Sequence, residues 1–130
     1  MTTKLKKITK DSMTKLAFKL MEYFHKNEMW DSTIIYAAGK RYLSPGYAYN
    51  KEHLYKTYKD DIKYVEEDAD VKDYVSYSNP DTVTIAFEGL LYDIIDNDFG
   101  FILKLDKKFL EPYGLYFELG NQWNMSAYEG

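Results

Sequence analysis

Between Thr82 and Ile95 the chain reads Thr-Val-Thr-Ile-Ala-Phe-Glu-Gly-Leu-Leu-Tyr-Asp-Ile-Ile, and its hydrophobic period changes halfway. Up to Phe87 the residues alternate. Val83, Ile85 and Phe87 fall on one side and Thr82, Thr84 and Ala86 on the other, the period of two of a strand with a buried face. Beyond Glu88-Gly89, Leu90, Leu91, Ile94 and Ile95 recur at helical spacing. A strand that passes at a glycine into a helix needs a core that receives both, which points to a small α+β domain.

The remaining chain is read around that centre. Met13, Leu16, Ala17, Leu20, Met21 and Phe24 make one continuous apolar stripe and predict a helix over 11–27, with Lys15, Lys19, Glu22 and Lys26 opposite. Thr9 or Asp11 can cap its start and Asn27 its end. Residues 30–37 are rich in β-branched and aromatic side chains and read as a strand. Ala38-Gly39 is a two-residue turn into a second strand at 40–43, ended by Ser44-Pro45-Gly46. Tyr47, Tyr49, Tyr55, Tyr58 and Tyr64 follow no single period; 62–65 reads as a short strand and 67–70 as a loop. Val71, Tyr74 and Val75 fit a short helix closed by Asn79-Pro80. After a turn at Asn97-Asp98-Phe99-Gly100, residues 103–113 read as a helix with Leu103, Phe109, Leu110 and Tyr113 inward and Gly114 as its stop. Residues 115–119 read as a strand, and 123–128 as its continuation past a Gly120-Asn121 turn or bulge. The expectation is one α+β domain over 1–130, opened by a basic lead-in at 1–8. Its sheet is mostly antiparallel with about four strands, and helices pack on one face.

A chain of 130 residues suits one domain that buries roughly two-thirds of its unfolded surface. It has no cysteine, which removes disulfides, thiolate nucleophiles and thiolate metal sites. Met-Thr-Thr-Lys-Leu-Lys-Lys precedes no apolar h-region, and no apolar run approaches the ~18 residues of a membrane span. These features lead to the expectation of a soluble cytoplasmic protein with no membrane partner. Tyr and Phe are abundant, 14 and 7 residues, and tyrosine suits half-buried sites and interfaces. Arg41 is the only arginine among the 17 basic residues.

Chemistry needs residues that converge, and the spacing offers few. His25 falls near the end of the first helix, where it complements the helix dipole. His53 is adjacent to Glu52, which points elsewhere on either a strand or a helix. There is no Gly-x-Ser-x-Gly. Asp93, Asp96 and Asp98 lie close together, but counting from Asp96 a calcium loop would need glycine where Phe101 stands and glutamate where Lys107 stands. Asp98-Phe99-Gly100 copies a kinase tripeptide without the loops that go with it. A glycosidase would need two carboxylates, such as Glu88 and Glu118, a few ångströms apart across a cleft. Neither a Gly-x-Gly-x-x-Gly nor a Walker loop is present. No catalytic residue, metal site or cofactor is assigned, and a small carboxylate-dependent hydrolase is the remote alternative.

Charge offers two binding alternatives within a net charge of −4. Lys4, Lys6, Lys7, Lys10, Lys15, Lys19 and Lys26 form a stripe that, with aromatic platforms, could hold nucleic acid. Against this stand the negative balance and the scarcity of arginine, the usual base reader. Asp60, Asp61, Glu66, Glu67, Asp68, Asp70 and Asp73 form an acidic stretch that could imitate a few backbone phosphates, although a duplex carries one charge per ~1.7 Å.

Two segments, 79–92 (Asn-Pro-Asp-Thr-Val-Thr-Ile-Ala-Phe-Glu-Gly-Leu-Leu-Tyr) and 113–128 (Tyr-Gly-Leu-Tyr-Phe-Glu-Leu-Gly-Asn-Gln-Trp-Asn-Met-Ser-Ala-Tyr), resemble a group of small, mostly uncharacterised proteins of conjugative transposons and related mobile elements of Gram-positive gut bacteria. The resemblance spans about a third of the chain and implies a mobile-element accessory role, with no catalytic residues to carry over. In plain structural terms Tyr116, Trp123 and Tyr128 cover the sheet while Gly89, Gly114 and Gly120 supply turns. Alternatively Tyr116, Asn121, Trp123, Asn124 and Tyr128 rim a recognition surface. The leading expectation is a non-enzymatic accessory protein that binds another protein through a tyrosine-rich surface. Nucleic acid is the alternative partner, and a homodimer through an exposed sheet edge is a further option.

Overall fold

A computed structural model of the chain describes residues 8–48, 50–59, 61–98, 100–121 and 123–129, with the backbone alone at 89, 90, 96, 97 and 121. In chain order the elements are α1 (Lys10–Lys26), β1 (Thr33–Ala37), β2 (Lys40–Leu43), β3 (Lys56–Tyr58), β4 (Ile62–Asp68), β5 (Val83–Phe87), α2 (Gly89–Asn97), α3 (Gly100–Leu105), β6 (Leu115–Asn121) and β7 (Asn124–Glu129). Short 3₁₀ turns occupy Glu52–Leu54, Val71–Asp73 and Glu111–Tyr113, and a π-helical turn at Asp106–Leu110 prolongs α3. All strand pairs are antiparallel, in the order β3-β4-β2-β1-β5-β7-β6.

The sheet therefore has seven strands, and the expectation of about four is overturned. Two features add strands and one lengthens a strand already expected. The Lys-Thr-Tyr of β3 is too short to show a period. The acidic end of β4, read as a loop, is strand because its carboxylates meet cations from other segments: Glu66 faces Lys56 at 3.6 Å, Glu67 meets Arg41 at 2.7 Å, and Asp68 pairs with Lys40. Finally, β7 does not continue β6. It folds back against it, placing Tyr116 opposite Tyr128 and Phe117 opposite Ala127, with a bulge between Leu119 and Asn121.

The six stripe residues of α1 are its six buried residues, and Thr9 caps the helix by accepting from the Ser12 amide at 3.1 Å. Each large apolar side chain so buried contributes about 1.5–3 kcal/mol. They pack on the sheet face formed by Ile35, Tyr42, Ile85, Phe87 and Met125, and Leu91 and Ile95 of α2 with Phe101, Ile102 and Leu105 of α3 close the same core. The tyrosines without a period belong partly here. Phe18 of α1 meets Tyr42, Tyr58 and Tyr64 with ring centroids 5.1, 4.9 and 5.4 Å apart.

The opposite face is covered by coil. Ile34, Tyr36, Leu43, Val65 and Ala86 pack under Ala48, Val71 and Val75, with Tyr47 and Tyr55 against them. All five residues of β5 are buried, so the stretch whose period changes does lie at the centre, with both of its faces enclosed. Farther along this second face the cover reaches β7, where Asn124 and Ser126 are buried beside Thr84 of β5 and the Thr84 and Ser126 hydroxyls lie 2.6 Å apart. It touches β6 at Gly120, on which the Tyr77 backbone rests, and leaves Tyr116 and Glu118 of that strand exposed.

Both outer edges are blunted. β3 has three residues and begins with Lys56. At β6 the Phe117 amide donates to Asp106 Oδ1 at 2.7 Å, so the π-helical turn caps the strand at that point. A homodimer built by strand pairing meets one very short edge and one capped one.

Candidate binding surfaces

On the second face, β6 contributes Tyr116 and Glu118, and β7 contributes Asn124, Ser126 and Tyr128. The chain returns over this corner at 76–78. A Cβ at Gly120 would lie 2.4 Å from the Tyr77 carbonyl oxygen and 3.0 Å from Tyr77 Cβ, so glycine is what lets the Tyr77 backbone rest on the strand. Lys72 fixes that loop by donating to the carbonyls of Ser76 and Ser78 at 3.2 and 2.7 Å. Asn79 and Thr82 side chains both donate to the Ala127 carbonyl, at 3.0 and 2.5 Å. Tyr77 is left 65% exposed, Tyr116 38%, and Trp123, in the β6–β7 turn, 46%. Tyr128 is half-buried, and the Tyr116 hydroxyl stands 3.5 Å from Glu118.

Of the five residues expected to rim a recognition surface, the structure thus brings Tyr116 and Tyr128 side by side and puts Trp123 at the end of their hairpin. Asn124 is fully buried, so it supports the surface from beneath, because its position on β7 pairs with Ala86 on the central strand. Asn121 pairs through its backbone with Asn124, and its side chain lies outside the described residues. Tyr77 and Glu118 were missed as members. Only the register of β6 on β7 and the return of the 76–78 loop place them there, and neither leaves a local signal.

The lysine stripe is only partly assembled. Lys4, Lys6 and Lys7 lie outside the described residues. Lys10 is exposed at the first position of α1, and Lys15 is engaged by Asp11 at 3.0 Å. Lys19 and Lys26, however, line a groove of about 440 Å³ together with Tyr23, Lys108 and Phe109. The Tyr23 and Phe109 rings meet edge to face at 5.4 Å, and the Lys108 ammonium stands 5.4 Å from the Tyr23 ring centre. Lys108 and Phe109 were missed because they come from the π-helical turn, far away in sequence.

Much of the acidic stretch is engaged by cations rather than presented as a phosphate mimic would be, although Asp70 and Asp73 are exposed. Besides the pairs of Glu66, Glu67 and Asp68, Lys51 reaches Glu67 from the covering coil, and Asp61 meets His25 Nε2 at 3.2 Å. Asp70 accepts from the Lys72 amide at 3.0 Å. Asp60 lies outside the described residues. Lys51 first, and then the Arg41 guanidinium, hold the Glu67 carboxyl below its ordinary range. Arg41 also lies 4.2 Å from the centre of the Tyr74 ring.

The remaining candidates stay dispersed. His25 has a carboxylate partner that the sequence did not reveal, but the pair stands at the surface, with Asp61 74% exposed. His53 is exposed in its 3₁₀ turn. Asp98 accepts from the Gly100 amide at 3.0 Å, and the side chain of Asp96 lies outside the described residues. Glu88 hydrogen-bonds with the Tyr47 side chain, whereas Glu118 stands opposite Ser126 two strands away. Among the described residues no three His, Asp or Glu side chains gather as a metal ion would require, and no helix is long and apolar enough to cross a membrane. Comparison with protein-family models, curated proteins and solved structures finds no match to this chain.

Proposed function

We propose that the protein is a non-enzymatic binding module that docks a protein partner on the patch of Tyr77, Tyr116 and Tyr128 around Glu118, with Trp123 at its end. The observation behind this is that the covering coil, which touches β6 at Gly120, leaves Tyr116 and Glu118 exposed and Tyr128 half-buried on an otherwise enclosed face. Tyrosine provides large, rigid, amphipathic contact area at low entropic cost. Rings around a carboxylate suit a cationic side chain, because their faces attract it and the carboxylate pairs with it. The occupant is accordingly an extended protein segment carrying arginine or lysine at its centre. The resemblance of 79–92 and 113–128 to mobile-element proteins supports an accessory role on such an element, acting in the cytoplasm.

The test is a titration of ¹⁵N-labelled protein with 12-residue peptides, arginine-centred or aspartate-centred but otherwise alike. Arginine-centred peptides should shift the amides of 77, 116–118 and 126–128, and Tyr116→Thr should abolish those shifts without disturbing the rest of the spectrum. Shifts scattered over the surface, or equal for both peptide charges, would refute the assignment.

A further inference from the structure

The groove between α1 and the π-helical turn is independent of the tyrosine patch and has its own chemistry. Three lysines, Lys19, Lys26 and Lys108, line one cavity together with Tyr23 and Phe109. Its one carboxylate, Glu22, is engaged by Lys59 at 2.8 Å, so the cations are not neutralised from within. We propose that this groove binds single-stranded nucleic acid, with one base resting on the Tyr23–Phe109 pair and the flanking phosphates on the three lysines. A volume of about 440 Å³ lies within the range of about 300–1,000 Å³ typical of small-ligand pockets and suits a single nucleotide unit. An aromatic platform needs an unstacked base, which a strand offers and a duplex does not. No arginine lines the groove, so base edges go unread and binding is tolerant of sequence.

The test is fluorescence anisotropy of the full chain with a labelled 12-nucleotide oligothymidylate, a duplex of equal length, and unlabelled thymidine monophosphate as competitor. Three phosphate contacts give a log–log salt slope of about −2 for a single strand, so affinity should fall roughly 20-fold between 50 and 200 mM salt. Lys108→Gln should lower the slope by about 0.7, and Lys63→Gln, on the opposite sheet face, should leave it unchanged. Tyr23→Leu, checked by circular dichroism, should weaken binding about five-fold or more through lost stacking. The proposal is overturned if the oligonucleotide does not bind at 50 mM salt, or if Lys63→Gln and Lys108→Gln act alike. It is equally overturned if duplex binds as tightly as the strand, or if the monophosphate competes as well per nucleotide as the oligonucleotide, which would make the groove a mononucleotide pocket.

Discussion

Arg41 does more in this molecule than its rarity suggests. From β2 it holds Glu67 of β4 through Nε at 2.8 Å and a terminal nitrogen at 2.7 Å, and it carries Tyr74 of the covering coil on its flat face. Lysine has neither the fork nor the plane to do both. Arg41→Ala should therefore cost about 1–3 kcal/mol in urea denaturation, with the discount due to partial exposure already included, and Arg41→Lys should recover less than half of it. The sign of the pH dependence follows from Glu67. Its pKa is depressed in the folded state, so the stability it contributes is present above the ordinary glutamate range and is lost as pH falls through the lowered value. Glu67→Gln should flatten the stability profile in that acidic window. The profile above pH 6 should keep its slope.

At the scale of elements, the legible parts were those whose own residues carry the period. The stripe of α1 and the alternation of β5 needed no knowledge of neighbours. Neither did the turn at Ala38-Gly39, which has φ of 54° and 76° as a tight hairpin of this type requires. Ala38 is there in the left-handed region against its preference, so Ala38→Asn should raise stability by about 0.5–1 kcal/mol, read as a higher Tm. What could not be read depends on partners. Glu67 and Asp68 look like loop until Arg41, Lys51 and Lys40 are placed against them. Tyr47, Ala48 and Tyr55 follow no period because they cover a face rather than join the sheet. The candidate patch was half legible, since Tyr116 and Tyr128 lie in one suspicious segment while Tyr77 and Glu118 need the tertiary fold. Asp106 belongs with these dependent features. It caps the β6 edge, so Asp106→Ala should cost about 1 kcal/mol and raise self-association in analytical ultracentrifugation, while Asp106→Asn keeps an acceptor and should sediment as the native protein does.

At the scale of the molecule, the seven strands among the described residues leave little sheet unused. Helices occupy one face, and coil laced by Lys51 and Lys72 occupies most of the other. Among the described residues the β6 corner is left open, with the Tyr116 hydroxyl 3.5 Å from Glu118 and Tyr128 opposite Tyr116, and Glu118 is the residue on which the proposed choice of partner charge depends. The most direct test is calorimetry of arginine-centred and aspartate-centred peptides against the native protein and Glu118→Lys. The native protein should prefer the arginine-centred peptide, and the reversal should weaken it by about tenfold while admitting the aspartate-centred one. Unchanged affinities for both peptides across the two proteins would contradict the assignment of this corner as the docking surface.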